Sequence, residues 1–465
     1  MLSTKRPTLI VTCLATAMLM LDIAVVNTAM PHIGSDLHAN LNSLKWVVDA
    51  YTLALATTVL TVGSLADRFG RRRIFAGGLV VFTLASLACA VADSVAMLDA
   101  ARVVQGIGAS GLFASSLALL ANAYPEARER AGAMAAYGAT IGASFAVGPL
   151  VGGALVSGLS WRWIFLINLP VGIGALAVTL RRVSESKDPA ARRVDLPGQA
   201  TLTAGLFLLV LALLRGNDAG WGTSATILEL AAGAALLATF VAIEHKVREP
   251  MLPLGLFRVP AFAGAQITAF AISASFFAIY LYATIYVQSV LGLSAIEAGL
   301  VYLPGTIIMF FVSGAAAQLS ERVSPRVLIG GGLGLVAAGL ALMTMATENS
   351  SWTIILPGFL LASIGTGMFN PALSGVALSS APIEMSGLAA GVNDTARQGG
   401  IALGVAALGA LIPTASVHLH DAAYVDGMRT ALIVGATVAA VGAIAGWRLI
   451  GERSAMPARV AIEAA

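Results

Sequence analysis

The chain is built from apolar runs of 19 to 27 residues set apart by short polar segments. A helix needs about 20 residues, at 1.5 Å each, to cross some 30 Å of hydrocarbon. The runs fall near residues 9 to 30, 45 to 65, 74 to 92, 96 to 120, 132 to 156, 162 to 181, 197 to 215, 224 to 244, 263 to 289, 297 to 318, 326 to 346, 353 to 376, 387 to 412 and 428 to 449. They predict an all-α integral membrane protein of fourteen transmembrane helices. Charged residues make up 11% of the chain, against about 25% in a soluble protein, too few to cover a water-facing surface. No run shows the ten-residue alternation of an outer-membrane barrel. The first run is too long for a signal peptide and ends in Met30-Pro31-His32 without a small-residue cleavage site, so it reads as the first span.

Several chemistries are excluded. Cys13 and Cys89 lie inside apolar runs, which leaves no disulfide framework or thiolate metal site. None of the four lysines, at 5, 45, 187 and 246, follows a glycine, so there is no phosphate-binding loop. His418 and His420 have no further ligand set around them, and no catalytic cluster sits at a membrane interface. No enzyme activity, cofactor, metal or nucleic-acid partner is expected.

Charge sets the orientation, because cytoplasmic loops hold the excess of Lys and Arg. With the N-terminus inside, 21 of the 27 basic residues fall in inside segments. Outside segments hold Lys45, Arg162, Arg215 and Arg429, and Arg102 and Arg397 lie within spans. Both termini are therefore predicted to be cytoplasmic. The same count is satisfied by twelve spans, since removing the hairpin at 197–244 leaves every other loop on its side.

Charged stretches flank that hairpin and divide the chain. Residues 1–181 read as an N-terminal six-helix bundle, 182–196 as a cytoplasmic linker and 197–244 as a two-helix insert. A second linker covers 245–262, a C-terminal six-helix bundle 263–450 and a cytoplasmic tail 451–465. A weak repeat supports the division. Gly63-Ser-Leu-Ala-Asp67-Arg68-Phe-Gly70-Arg71-Arg72-Arg73 is echoed by Gly314-Ala-Ala-Ala-Gln318-Leu-Ser-Glu321-Arg322-Val-Ser-Pro325-Arg326, which keeps the glycine and basic end but loses the aspartate. Two related halves that rock about a midplane site are the requirement of a transporter.

An ionisable group costs roughly 2.5 to 3.5 kcal/mol at mid-span, so each one is a functional candidate. Asp22 lies roughly 20 Å from the inner face by helix rise, and Asp49 and Arg102 fall at a similar depth. Asp394 and Arg397 sit about 10 to 15 Å above that face. Burial favours a neutral acid and a nearby arginine favours the carboxylate, so alternation between the two lets a site take and release a proton. Asp22 is the leading candidate, the other reading being a static ion pair with Arg102. Asp49 could equally be a solvated helix end. Asp394 and Arg397, three apart, could simply neutralise each other.

In the loop from Gly63 to Arg73, Asp67 can cap helix ends and pair with Arg68, Arg71 or Arg72, while Gly70 permits a tight turn. Such a cluster can latch one conformation. In the fifth span Gly138, Gly142, Gly148-Pro149 and Gly152-Gly153 bare a strip of backbone for close helix approach, a means of sealing one side. Phe276, Phe277, Tyr280, Tyr282 and Tyr286 crowd the ninth span. An apolar cavity walled by Phe276 and Tyr280, with Tyr51, Asp22 and Asp394, would suit a lipophilic cation; packing is the competing reading. Trp161, Trp163 and Trp352 are placed as interfacial anchors.

These motifs resemble the fourteen-span drug:proton antiporter family of the major facilitator superfamily. Leu21-Asp22-Ile-Ala-Val25-Val26-Asn27-Thr-Ala29-Met-Pro31 is similar to its first-span motif, whose aspartate is a protonation candidate. Gly63 to Arg73 resembles the superfamily loop motif. Arg102-Val-Val-Gln105-Gly106-Ile-Gly108-Ala109 resembles the fourth-span motif whose arginine is linked to proton movement, and Gly148-Pro149-Leu-Val-Gly152-Gly153 the antiporter signature. Trp161-Arg162-Trp163-Ile-Phe165-Leu-Ile-Asn168-Leu-Pro170-Val-Gly172 is similar to a stretch common in the fourteen-span group. Acids at 49 and 394 resemble the quaternary-ammonium branch. The resemblance implies a proton-coupled exporter of amphipathic cationic drugs, antiseptics or dyes. It would work by alternating access, as a monomer, in a bacterial cytoplasmic membrane. The alternatives are a dedicated exporter of one endogenous metabolite or self-made antibiotic and, from another class, a non-transporting membrane sensor or scaffold.

Overall fold

The computed structural model of the chain describes residues 2–187, 195–247, 250–252, 254–320, 322–381, 385–413 and 422–451. Asp188, Arg192 and Arg193 of the first proposed linker, Arg248 and Glu249 of the second, His418, His420 and the tail from 452 lie outside them. Among the described residues there is no strand. The helices are α1 (Leu2–Asp36), α2 (Leu41–Phe69), α3 (Arg71–Ala90), α4 (Val95–Ala123), α5 (Ala127–Gly158), α6 (Trp163–Arg182) and α7 (Leu196–Ala219). They continue with α8 (Ser224–Lys246), α9 (Pro260–Val290), α10 (Ala295–Leu319), α11 (Pro325–Met343), α12 (Leu356–Ser379), α13 (Ser386–Gly409) and α14 (Ala422–Leu449).

Each apolar run coincides with one helix to within a few residues, α1 running further at both ends. Twelve of the helices are long and apolar enough to cross a membrane, against the fourteen spans expected. The expected fifth and thirteenth coincide with α5 and α13, continuous helices of 32 and 24 residues outside that twelve. Their starts are set by local chemistry. Asn40 caps α2, its side chain accepting from Ser43 N at 2.8 Å, and Ser294 with Glu297 forms a capping box on α10.

Consecutive helices alternate in direction and so define two faces, one bearing the N-terminus (the terminal face) and one opposite (the distal face). Lys5 pairs with Glu129 at the first, Arg162 with Asp36 at 2.6 Å at the second. Helices in lipid associate by close van der Waals packing, which small residues allow. Thus α11 and α12 touch through glycines: a Cβ on Gly339 would lie 2.5 Å from Gly358 O.

The N-terminal and C-terminal helices meet at the distal face and, along α2 and α13, nearer the terminal face too, where a Cβ on Gly391 would lie 2.9 Å from Leu60 Cδ2. Lys45 Nζ donates to Gly409 O at 2.9 Å, Gln288 Nε2 to Thr28 O at 2.8 Å, and Ile296 N to Ser157 Oγ at 3.3 Å. A Cβ on Gly153 would stand 2.5 Å from Ala295 O, and one on Gly299 2.6 Å from Pro149 O. About three turns nearer the terminal face the contact between α5 and α10 is gone. Gly138, on the side of α5 that carries Pro149, has nothing within 4 Å, and Phe310, on the side of α10 that carries Gly299, is 40% exposed. The two helices touch at the distal end and diverge below it. Asp394, Arg397 and Asn370 are half-buried in the diverging part.

The α7–α8 hairpin packs beside α2 and α13. Its distal end touches both: Asn42 Nδ2 donates to Asp218 Oδ2 at 2.5 Å, and Asn217 Nδ2 to Ala410 O at 2.7 Å.

Candidate functional site

Five helices converge on Asp22. Arg102 Nη1 donates to its Oδ2 at 2.5 Å, while Gln105 Nε2 and Asn168 Nδ2 donate to Oδ1 at 2.9 and 3.2 Å. Both amides also donate to Ser86 Oγ, at 2.8 and 3.2 Å. Arg102 is held further by Gln105 Oε1 at 2.7 Å and by Val47 O, which accepts from Nε at 3.0 Å. Its guanidinium lies 4.2 Å from the Tyr51 ring centroid, a cation–π contact. Asp22 and Arg102 are each 1% exposed. An acid with three donors and a base with three acceptor contacts form a neutral, satisfied unit, the condition under which a buried ion pair is tolerated.

The helix period explains part of this. Arg102 and Gln105 are three apart on α4 and present one face to α1. Gln105, Asn168 and Ser86 carry no role in the sequence reading, although an amide inside an apolar run is itself a signal, since buried polar groups need partners. Tyr51, expected against substrate, has its ring taken by Arg102 and is fully buried. That departs from the expectation, because the guanidinium needed an apolar, electron-rich seat.

Asp49 does not join the Arg102 unit. It is fully buried, and neither carboxylate oxygen has a hydrogen-bond partner among the described residues, so it is no solvated helix end. Lys45, read from the sequence as an outer-loop charge, is 1% exposed and one turn away on the same helix. Its Nζ donates to Asn42 Oδ1 at 3.0 Å and to Gly409 O rather than to Asp49. Asp99 on α4, absent from the sequence reading, also has a buried oxygen without a partner.

Asp394 and Arg397 occupy one stretch of α13, but no ion pair joins them among the described residues. Arg397 Nη2 donates to Asn370 Oδ1 at 2.5 Å, so the guanidinium is hydrogen-bonded to α12 while Asp394 remains its nearby counter-charge. Phe276 and Tyr280 do not wall an open cavity. Phe276 stacks on Phe359 at 6.0 Å, Tyr280 meets Tyr302 at 4.8 Å and Tyr302 meets Phe359 at 4.9 Å, all four buried. Aromatic edges and faces satisfy one another more fully than an empty pocket would. Trp161 is likewise no interfacial anchor: it is buried and its Nε1 donates to Asp36 Oδ2 at 2.9 Å. Trp163 and Trp352 are exposed.

In the α2–α3 loop Asp67 pairs with Arg71, Oδ1 accepting from Nε at 2.9 Å. Arg68 is exposed and lies over Phe69. A partner the sequence did not suggest is Glu185, beyond α6: its Oε1 accepts from Arg72 N at 3.0 Å, and Arg72 Nη1 donates to Val183 O at 3.2 Å. Gly70 has φ +117°, and a Cβ there would meet the Glu185 carboxyl at 2.7 Å. Gly63 has only Ala114 Cβ nearby, at 3.7 Å. Gly70→Ala is therefore expected to cost about 1 kcal/mol or more, read as a lowered melting temperature in detergent. Gly63→Ala, at an unstrained helical position, should leave the melting temperature unchanged or raised.

The antiporter-like glycines divide by direction. A Cβ on Gly148 would collide with Ala24, and one on Gly152 would lie 3.1 Å from Val25 Cα, so both face α1. Gly153 and Pro149 face α10 in the other half.

The sequence profile of the Major Facilitator Superfamily matches residues 12–405 and 321–462. The chain belongs to the major facilitator superfamily. This member is 34% identical to the multidrug resistance protein Stp of Mycobacterium tuberculosis (strain CDC 1551 / Oshkosh), over 96% of this chain and 92% of that one. It is 35% identical to a methylenomycin A resistance protein of Streptomyces coelicolor, over 96% and 94%. With a puromycin resistance protein of Streptomyces alboniger it shares 36% identity, over 96% and 91%. Its fold is shared with the human organic anion transporter MFSD10 (TETRAN), at TM-score 0.62, 15% identity and coverage of 95% and 99% of the two chains. This superfamily member is a multi-pass integral membrane protein whose relatives are drug and antibiotic resistance or export transporters.

Proposed function

We propose that the protein is a proton-coupled antiporter that exports amphipathic, cationic drugs or dyes from a bacterial cytoplasm by alternating access. All fourteen helices cross the cytoplasmic membrane in this reading, arranged as six, a two-helix insert and six, with both termini inside. The terminal face is then cytoplasmic, and the conformation described is open to the cytoplasm and sealed outside. One observation carries the proposal. Two carboxylates lie buried at the sealed end, Asp22 clamped by Arg102 and Asp49 with no hydrogen-bond partner. An ionised, unpartnered carboxylate in such a place costs several kcal/mol, and a proton or a cationic substrate removes that cost. A site that accepts one or the other but not both makes exchange obligatory. Asp394 and Arg397 lie on the cytoplasmic side of the seal in this reading, where a substrate from the cytoplasm would reach them.

The second reading, a dedicated exporter of one antibiotic, is favoured by relatives named for a single compound, methylenomycin A or puromycin. One experiment separates the two. Protein in liposomes is challenged with ethidium, with other lipophilic cations and with neutral and anionic compounds, and proton movement is followed by a pH-sensitive dye. Proton movement driven by several cations supports the drug antiporter. Movement with a single compound supports the dedicated exporter, and movement with none of the panel overturns the proton-coupled export of cationic drugs.

A further inference from the structure

Lys45 and Asp49 are one turn apart on α2, the spacing at which an ammonium and a carboxylate on a helix can meet. Both are buried, yet they are not paired in the distally closed conformation. The ammonium is drawn the other way, to Gly409 O at 2.9 Å and Asn42 Oδ1 at 3.0 Å. Gly409 is the last residue of α13, where the helix dipole attracts a cation; its carbonyl also accepts from Ile412 N at 3.2 Å, and the ammonium takes its second lone pair. A Cβ on Gly409 would collide with the Tyr282 hydroxyl and lie 2.6 Å from Lys45 Cε, so the absence of a side chain there makes room for both the tyrosine and the lysine. Since α2 and α13 belong to opposite halves, opening the distal face carries the Gly409 carbonyl away.

We propose that Lys45 is a tethered cation that pairs with Asp49 when the distal face opens, and is withdrawn by Gly409 when it closes. Closure then leaves Asp49 buried without a partner, so it requires a proton on that carboxyl. This rests on the proton-coupled reading above and gives it a direction. On opening, Lys45 takes the carboxylate as the substrate cation leaves. A proton from the outer water then binds the Asp49 carboxylate, the still-protonated ammonium is released to Gly409, and the face closes. The other ionisable groups near Asp49 are Asp99 of α4 and the Tyr282 hydroxyl of α9, which donates to Val405 O; Asp218 of α7 is near Lys45. Lys45 is the cation among them. It acts as a positioning residue, through Asp49.

The test is a distance measurement between spin labels on Leu159→Cys and Met345→Cys. These are exposed positions at the distal ends of opposite halves, placed in a Cys13→Ser/Cys89→Ser background and followed against pH in lipid. In the parent protein the open population is expected to rise with pH. In Lys45→Met it should fall on the alkaline limb by about threefold, because the ionised carboxylate has lost its partner. It should rise on the acid limb, because the bond to Gly409 is lost. Asp49→Asn should stay closed at every pH. A rise on both limbs in Lys45→Met, or an unchanged profile, overturns the proposal, since it makes Lys45 a clamp only or nothing. Substrate-driven proton release on the same vesicles separates the failures. If it is present beside a rise on both limbs or an unchanged profile, the Lys45 step alone falls; if it is absent beside a pH-flat parent, the proton-coupled reading falls with it.

Discussion

Asp22→Asn is expected to abolish proton-coupled efflux. The amide keeps the shape of the carboxylate but not its charge, and it turns a donor toward groups that are already donors. Arg102 Nη1, Gln105 Nε2 and Asn168 Nδ2 all point at Asp22. The variant therefore leaves the Arg102 charge buried without its counter-ion, at a cost of about 3 to 5 kcal/mol. Because the network is closed, stability falls as well. Activity loss in this variant by itself is ambiguous for that reason. Asp22→Asn combined with Arg102→Gln removes the stranded charge, and the double variant should recover most of the melting temperature without recovering transport. Transport against a gradient by the stable double variant would show that the pair only joins helices.

The second large effect is expected from Gly153→Leu. Gly148 and Gly152 seat α5 on α1 within one half, but Gly153 meets Ala295 and Ile296 across the interface. A leucine there needs space that exists only when the halves separate. Overpacking of this kind costs about 1 to 3 kcal/mol, enough to shift a two-state equilibrium by roughly 5- to 150-fold. Distal closure should be lost while each half stays folded. Thr28, buried at the sealed interface beside Gln288, reports this. Thr28→Cys in a background without the native cysteines should be labelled slowly by a membrane-impermeant maleimide and quickly once Gly153→Leu is added, with transport reduced at least about tenfold. Unchanged labelling would mean that α5 and α10 do not form the seal. Gly148→Leu is the contrast: it strikes Ala24 inside its own half and should lower the melting temperature directly.

Helical content and the placing of every long helix were legible in the sequence because each is a local property: an apolar run of hydrocarbon length ends where polar residues begin. The partners of Asp22 were legible only in part. Arg102 was evident because a charge in an apolar run demands a counter-charge. Gln105 lay within a quoted motif without its role being visible, and Ser86 and Asn168 are brought to the site by two other helices. Lys45 was misplaced because a lysine near a span end reads as a solvated loop charge, and only the packing of α13 against α2 covers it. The aromatic residues of α9 show the same limit. Spacing put Phe276 and Tyr280 on one side of the helix but could not say that Phe359 and Tyr302, far along the chain, would fill the space before them.

By itself the sequence determined that the chain is all-helical and membrane-spanning, where its long helices lie and which residues carry charge into the apolar zone, since length and hydropathy act along the chain. The tertiary structure decided which charges are satisfied, which are stranded and which face is sealed. Those depend on donors and backbone brought together from helices distant in sequence, and a buried charge is stable or costly according to the atoms within about 3 Å of it.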